Sequence, residues 1–373
     1  STNSQPATLT VKPTVTESPK DVTAVEGETV YLTVKANGPN LSYQWKVYKA
    51  INGTFCWSNS DLEGNKTATL KVPVAYYRDG HRFRCVVTAG NGKTDTSAAA
   101  KLTVQAKVTT QPKTITVEKD STAVFSIVAT GNMLSYQWQY NNGSGWYNST
   151  ANGAKTSAID FTATAYRDGQ QYRCVVTSSN GTSDTSLPAT LKVKPAITKQ
   201  PTNQIGVAKS AVTFTIAASG NTLSYQWQVN MGSGWRNSEM SGATTPELYV
   251  PVYVYREGYQ YRCVVTSKSG ATTTSSPATL YVKPYITGQP RDASGKNGGV
   301  VSFHVTASGK NLSYQWQEFD SKKGWTNSTL YSAQEDCLIV HIHSDTKSCK
   351  FRCIVSSSNG TSTTSNIVSL TVK

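Results

Sequence analysis

An all-β fold of four tandem β-sandwich modules in an elongated array is predicted by three observations. The chain repeats itself every 89 to 93 residues, each repeat alternates apolar and polar residues in short runs, and turn clusters interrupt those runs about every 8 to 12 residues. The triplet Tyr-Gln-Trp occurs four times, with its tryptophan at Trp45, Trp138, Trp227 and Trp316. A second tryptophan follows at Trp57, Trp146, Trp235 and Trp325, and a cysteine at Cys85, Cys174, Cys263 and Cys353. Proline opens each unit, at Pro19, Pro112, Pro201 and Pro290. The repeats delimit modules at residues 14–105, 106–194, 195–283 and 284–373. Residues 1–13 read as a tail or the last strand of an earlier module, because Pro6 to Pro13 matches Pro188 to Pro195 and Pro277 to Pro284.

The second module shows the elements in order. Val124 to Val128 alternates and reads as one half-buried strand, and Ser135 to Tyr140 as the next. Asn141-Asn142-Gly143-Ser144-Gly145 is a turn, so Trp146 opens a hairpin partner. Ile159 to Phe161 is a further strand. Tyr172 to Thr177 follows the turn Arg167-Asp168-Gly169, Asn180-Gly181 turns the chain again, and Ala189 to Val193 closes the unit. No helical period of useful length interrupts this pattern. The joints are short and proline-bearing, as in Lys194-Pro195 and Gln200-Pro201, which stiffens them. Four modules in line reach on the order of 120–160 Å at the usual strand rise.

These residues resemble the immunoglobulin superfamily, most closely the immunoglobulin-like repeats of surface proteins from Gram-positive gut bacteria. Trp138 matches the core tryptophan of that fold and Asp168 to Cys174 its Asp-x-x-x-Tyr-x-Cys run, and the resemblance as a whole covers all four modules. One departure matters. The position that carries the partner cysteine in the family is Val34, Ile127, Ile216 and Val305 here. No inter-sheet disulfide can form, and losing one costs roughly 2–5 kcal/mol, offset in part by the larger aliphatic side chain. A secreted animal receptor normally keeps the bridge, so its absence points to a bacterial surface protein. Four of the seven cysteines are expected as buried thiols. Cys56, Cys337 and Cys349 remain, with a local bridge between the last two left open.

The net charge is +14, with lysine and arginine spread along the whole chain. That spread argues against a nucleic-acid partner and fits attraction to acidic surfaces. No apolar run is long enough to span a membrane. A secretion signal and any anchor are expected outside this sequence, and the location is expected to be extracellular, on a cell surface or secreted. A monomer is expected.

Strand alternation places Gln137, Gln139 and Arg173 on an outward face, with Gln226, Gln228 and Arg262 in the third module, Gln44, Lys46 and Arg84 in the first, and Gln315, Gln317 and Arg352 in the fourth. This column reads either as a repeated hydrogen-bonding platform or as a solvated face whose cross-strand pairs stabilise the sheet. The second tryptophan is expected beneath its hairpin, since features common to every repeat belong to scaffold more often than to site. Differences between repeats are better pointers to binding. The interval between the tryptophans is longest in the first module, and the extra residues are read as an enlarged loop presenting Tyr48, Ile51 and Phe55. Module three is rich in tyrosine, at Tyr249, Tyr253, Tyr255 and Tyr259.

No catalytic set, cofactor loop or metal site is expected. His341 and His343 share a strand face near Asp345 but lack a third ligand. The function expected is therefore binding, not catalysis. The partner is a host protein or glycoprotein, with antibody a specific form as in superantigens. A stalk that displays another domain and a carbohydrate-binding array are the alternatives.

Overall fold

The structure is a computed structural model that describes residues 10–373. The closing-strand reading of residues 6–13 falls largely outside the described residues. The chain divides into two compact units, one up to Lys192 and one from Val193 onward. Each unit holds two copies of one sandwich.

In the first module the larger sheet runs in the order Val22–Val25, Ala100–Gln105, Arg82–Thr88, Ser42–Ile51, Thr54–Asn59. Thr94–Thr96 also pairs with Arg82–Thr88. The first of these strands lies parallel to the closing strand, with Val22 opposite Leu102, and the other ladders are antiparallel. Two ribbons form the opposing layer: Thr29–Thr33 with Thr69–Pro73, and Thr14–Glu17 with Lys35–Asn37. They pack on the larger sheet through Leu32, Leu70 and Val72, with Val34 buried between the two ribbons. The same strand order recurs in the other three modules, which makes the fold the all-β tandem of immunoglobulin-like sandwiches that the repeats predict.

One element differs from its expectation. Val124 to Val128 is not a single strand. Thr122–Ser126 pairs with Ala158–Thr162, and Val128–Thr130 pairs with Lys107–Thr110. Buried Ile127 stands at the change of partner, where its N–H goes to Ser157 O at 3.0 Å. The in–out alternation runs unbroken through this point, so periodicity alone cannot reveal it.

The core of each module is built on its first tryptophan. Trp45, Trp138, Trp227 and Trp316 have no exposed surface. Each indole N–H is satisfied by a carbonyl, as in Trp138 Nε1 to Thr156 O at 3.0 Å, so a large apolar ring is buried with no orphaned donor. Cys174 stands opposite Trp138 in the ladder, and Cys85, Cys263 and Cys353 hold the matching places. All seven cysteines are free. Val34, Ile127, Ile216 and Val305 are buried where a second cysteine would otherwise stand. Burial disfavours the thiolate and pushes Cys85, Cys174 and Cys263 up to about 11, and Cys353 to about 12.

Candidate functional site

With Trp138 and Cys174 turned inward, the register sets Gln139 opposite both Arg173 and Asn148 on the outer face. Arg173 Nε donates to Gln139 Oε1 at 2.9 Å, and Gln139 Nε2 donates to Asn148 Oδ1 at 3.0 Å. Gln137 Nε2 donates to the carbonyls of Trp138 at 2.7 Å and Ser149 at 3.2 Å. The third module repeats the pattern, with Arg262 on Gln228 at 2.9 Å, Gln228 on Asn237 at 3.1 Å and Gln226 on Trp227 O at 2.9 Å. The outward placement is as expected, but the open platform is not. These six residues are half-buried and hydrogen-bond within their own sheet, which leaves little to offer a ligand.

The second tryptophan also differs from its expectation. Trp146 does not pack beneath the hairpin. It lies on the outer face beside Asn148, half-buried, with the Arg173 guanidinium 4.1 Å above its ring. Trp235 under Arg262 at 4.2 Å and Trp325 under Arg352 at 4.3 Å repeat this. The cation covers the ring face that a sugar would need for stacking.

The first module keeps the tryptophan and arginine and changes what surrounds them. Arg84 lies 4.0 Å over Trp57, but Lys46 stands at the glutamine position. Buried Arg84 Nε therefore has no hydrogen-bond acceptor. Arg82, opposite Tyr48, adds a third cation to the face. Module two has Gln139 and Gln171 at the positions of Lys46 and Arg82.

The expected enlarged loop is a longer hairpin. Ser42–Ile51 and Thr54–Asn59 are paired down to Ile51 opposite Thr54, leaving a two-residue turn at Asn52-Gly53. Both turn residues have positive φ, 51° and 80°, as a type I′ turn requires. The inserted residues thus carry sheet geometry. Tyr48, Phe55 and Trp57 fall on the outer face, with Tyr48 5.7 Å from Phe55 and 5.3 Å from Trp57, ring centre to ring centre. Phe55 is 62% exposed and Ile51, at the strand end, 38%. In modules two and three the residue matching Tyr48 is an asparagine that caps its own turn. Asn141 Oδ1 accepts from Gly143 N at 2.7 Å, and Asn230 Oδ1 from Gly232 N at 2.9 Å. The Asn-Gly dipeptide between alternating strands was the signal for this hairpin.

Two further features are specific to single modules. In the third, Tyr253 and Tyr255 stack at 5.4 Å on the surface, and Arg256 lies over both. They are surface residues at the corner, with Tyr259 half-buried against the core. In the fourth, a cavity of about 720 Å³ opens beside Leu330, Tyr331, His341, His343, Asp345 and Phe351. The corner arginine that bonds Pro73 O in module one and Pro251 O in module three, at 2.8 Å each, has Thr346 in its place. His341 ends its strand and His343 lies past it, and no group of three metal-ligating side chains forms among the described residues.

No protein-family model matches the chain. Among curated proteins it is 25% identical, over 83% of its length, to the muscle M-line assembly protein unc-89 of Caenorhabditis elegans, of which it spans 4%. It is 22% identical, over 74% of its length, to the cell adhesion molecule Dscam1 of Drosophila melanogaster, of which it spans 14%. Among solved structures, the N-terminal eight immunoglobulin domains of Down Syndrome Cell Adhesion Molecule match 97% of the chain and 49% of their own length, at 16% identity and a TM-score of 0.43. The chain is a tandem of immunoglobulin-like domains similar to those of cell adhesion proteins, and it spans only a small part of these curated relatives.

Proposed function

We propose that this chain is an extracellular binding protein of the adhesion type, and that the outer face of its first module is the contact surface. The observation that carries this reading is the change on that face. Lys46, Arg82 and Arg84 gather beside an aromatic ladder of Trp57, Tyr48 and Phe55 whose outermost ring is largely exposed. Aromatic residues and arginine are enriched in protein contacts, and three cations favour an acidic partner. The partner is a host protein or glycoprotein, with immunoglobulin the first to be tested. Modules two and three close the same face with internal hydrogen bonds, which suits spacers. A carbohydrate array finds little support, because an arginine covers the second tryptophan of every repeat.

The test is capture from serum and mucosal secretions by the whole chain, followed by binding of the purified protein. Replacing residues 48–56 with the shorter module-two hairpin removes Tyr48, Ile51 and Phe55 while keeping the fold. We expect a loss of at least about 100-fold in affinity, as for removal of a central aromatic anchor. Unchanged affinity eliminates this hairpin as the contact, and no capture at all leaves the stalk reading. Capture lost on deglycosylation alone restores the carbohydrate reading.

A further inference from the structure

Three of the four modules fill the same corner with an arginine of their own. Arg78 and Arg256 donate through Nη1 to the carbonyls of Pro73 and Pro251 at 2.8 Å. Arg167 Nη1 donates to the Tyr172 hydroxyl at 3.2 Å, and its guanidinium lies 4.9 Å over the Phe161 ring. Each guanidinium also rests on the ring of the residue before it, 4.8 Å from Tyr77, 5.2 Å from Tyr166 and 5.4 Å from Tyr255. The corner thus offers an oxygen acceptor and an aromatic face, the two partners that suit a planar cation.

Module four keeps the corner without the arginine. Thr346 stands at its position, and the cavity of about 720 Å³ opens there. The matching hollows of modules one and three, walled by Arg78 and Arg256, measure about 390 and 480 Å³. Each of those two is lined by its own module alone although another module follows it. The larger cavity is therefore set by the residues of module four and not by what adjoins them. Its walls change as well. Buried Val47 and Val229 give way to Glu318, which is half-buried and stands opposite buried Phe351 in the ladder. The tyrosine under each internal arginine gives way to Asp345. None of the ion pairs among the described residues includes Glu318 or Asp345. The Cys349 thiol in the same wall is pushed up to about 11 by burial and, after that, by the Glu318 carboxylate. Against the two carboxylates the lining sets one lysine, Lys347. His341 ends its strand as Pro73 and Pro251 end theirs. Fully exposed Tyr331 brings a ring to the cavity where module three has Ser241.

We propose that the module-four cavity is a binding site for an arginine side chain of a partner protein. A corner that gives up its own guanidinium and gains two carboxylates outside any ion pair is complementary to a guanidinium brought from elsewhere. The incoming group takes the place of Arg78 and Arg256, toward the His341 carbonyl. Glu318 and Asp345 supply the charge-assisted bonds that the internal arginines do without. The methylene stem lies along Leu330 and Phe351, and the Tyr331 ring covers it from the rim. Lysine suits the site less, because a compact ammonium lacks the planar fork that reaches a carbonyl and a carboxylate together. This inference is independent of the contact surface on the first module.

The test uses the full chain and N-acetyl-L-arginine methylamide, whose blocked ends imitate a residue within a polypeptide. Binding is followed at constant ionic strength through the NMR ring signals of Tyr331, His341 and His343. A Kd on the order of 1 mM is expected for a ligand of this size, and the matching lysine derivative should bind at least about tenfold more weakly. Thr346→Arg returns the internal guanidinium and should abolish binding. Glu318→Gln keeps the shape of the wall, removes one charged acceptor and should weaken binding at least about tenfold. It reads the site even where the arginine variant does not fold. Unchanged binding in either folded variant overturns the site, as does the absence of any shift at concentrations far above the expected Kd. Equal affinity for the lysine derivative overturns arginine as the occupant. Free L-arginine that binds more tightly than the blocked form overturns a protein as its source.

Discussion

The outer faces of the first and second modules start from one plan and end differently. Both carry an arginine over a tryptophan, Arg84 on Trp57 and Arg173 on Trp146, at nearly the same height. In module two the plan is closed: Gln139 accepts from the arginine and passes the chain on to Asn148, and Asn141 folds back on its turn. In module one a lysine replaces the glutamine, a tyrosine replaces the asparagine, and the hairpin grows outward instead of turning early. Positions shared by every repeat hold the sandwich together. The substituted positions are where a repeat is free to become specific.

The strongest way to break this division is to compare the two tryptophans of one module. Trp138 is wholly buried, and Trp138→Ala should cost module two about 3–5 kcal/mol. Trp146 is half-buried under a cation, and Trp146→Ala should cost about 1 kcal/mol. Amide exchange along Gln171–Thr177 in the full chain under increasing urea reads both. Equal losses would mean that the outer ring is core after all.

A smaller effect tests the unbridged core. The Cys174 thiol is pushed from its ordinary value of 9.0 up to about 11 by burial. The unfolded chain releases this proton near the ordinary value, whereas the folded module holds it. Its contribution is therefore intact below about pH 9, falls as pH rises toward 11, and is constant above. In Cys174→Ala the loss of module-two stability between pH 9 and 11 should be shallower than in the native chain. An equal slope would mean that the thiol ionises freely in the fold. The exposed Cys56, by contrast, should react with iodoacetamide at pH 8 while Cys174 does not.

Much of this architecture was legible in the sequence because it rests on period and alternation. Tyr172, Cys174 and Val176 inside and Arg173 and Val175 outward follow from period two alone. The missing bridge was legible because Ile127 is plainly not a cysteine. What could not be read depends on register. That Gln139 faces Arg173 rather than solvent requires knowing which residues of two strands 34 apart in sequence stand opposite one another. The change of partner at Ile127 leaves the alternation intact, so it leaves no trace in the pattern. The first-module hairpin is signalled by Asn52-Gly53, whereas the longer interval between its tryptophans signals an insertion and says nothing of the turn that closes it. The hydrogen bonds from Asn180 Nδ2 to Asp79 Oδ1 and to Val104 O join two modules, which no reading of a single repeat supplies.

The finest test exchanges the single residue that separates the two faces. In module one, Lys46→Gln returns an acceptor to Arg84 Nε, which is buried without one. Satisfying a buried donor on a charged group is worth about 1–2 kcal/mol, and the substitution also removes a neighbouring like charge. Module one should therefore gain stability, read as slower amide exchange along Arg82–Thr88. In module two, Gln139→Lys removes the acceptor of Arg173 and the donor to Asn148 at once, and should lose about the same amount along Gln171–Thr177. The pair of variants must move in opposite directions, because one residue supplies the closure in both modules. If Lys46→Gln stabilises module one while weakening capture of the partner, the open face is held at a cost to the fold and serves binding. If it stabilises module one and leaves capture unchanged, the lysine is no part of the contact, and the case for the first module rests on Tyr48 and Phe55 alone.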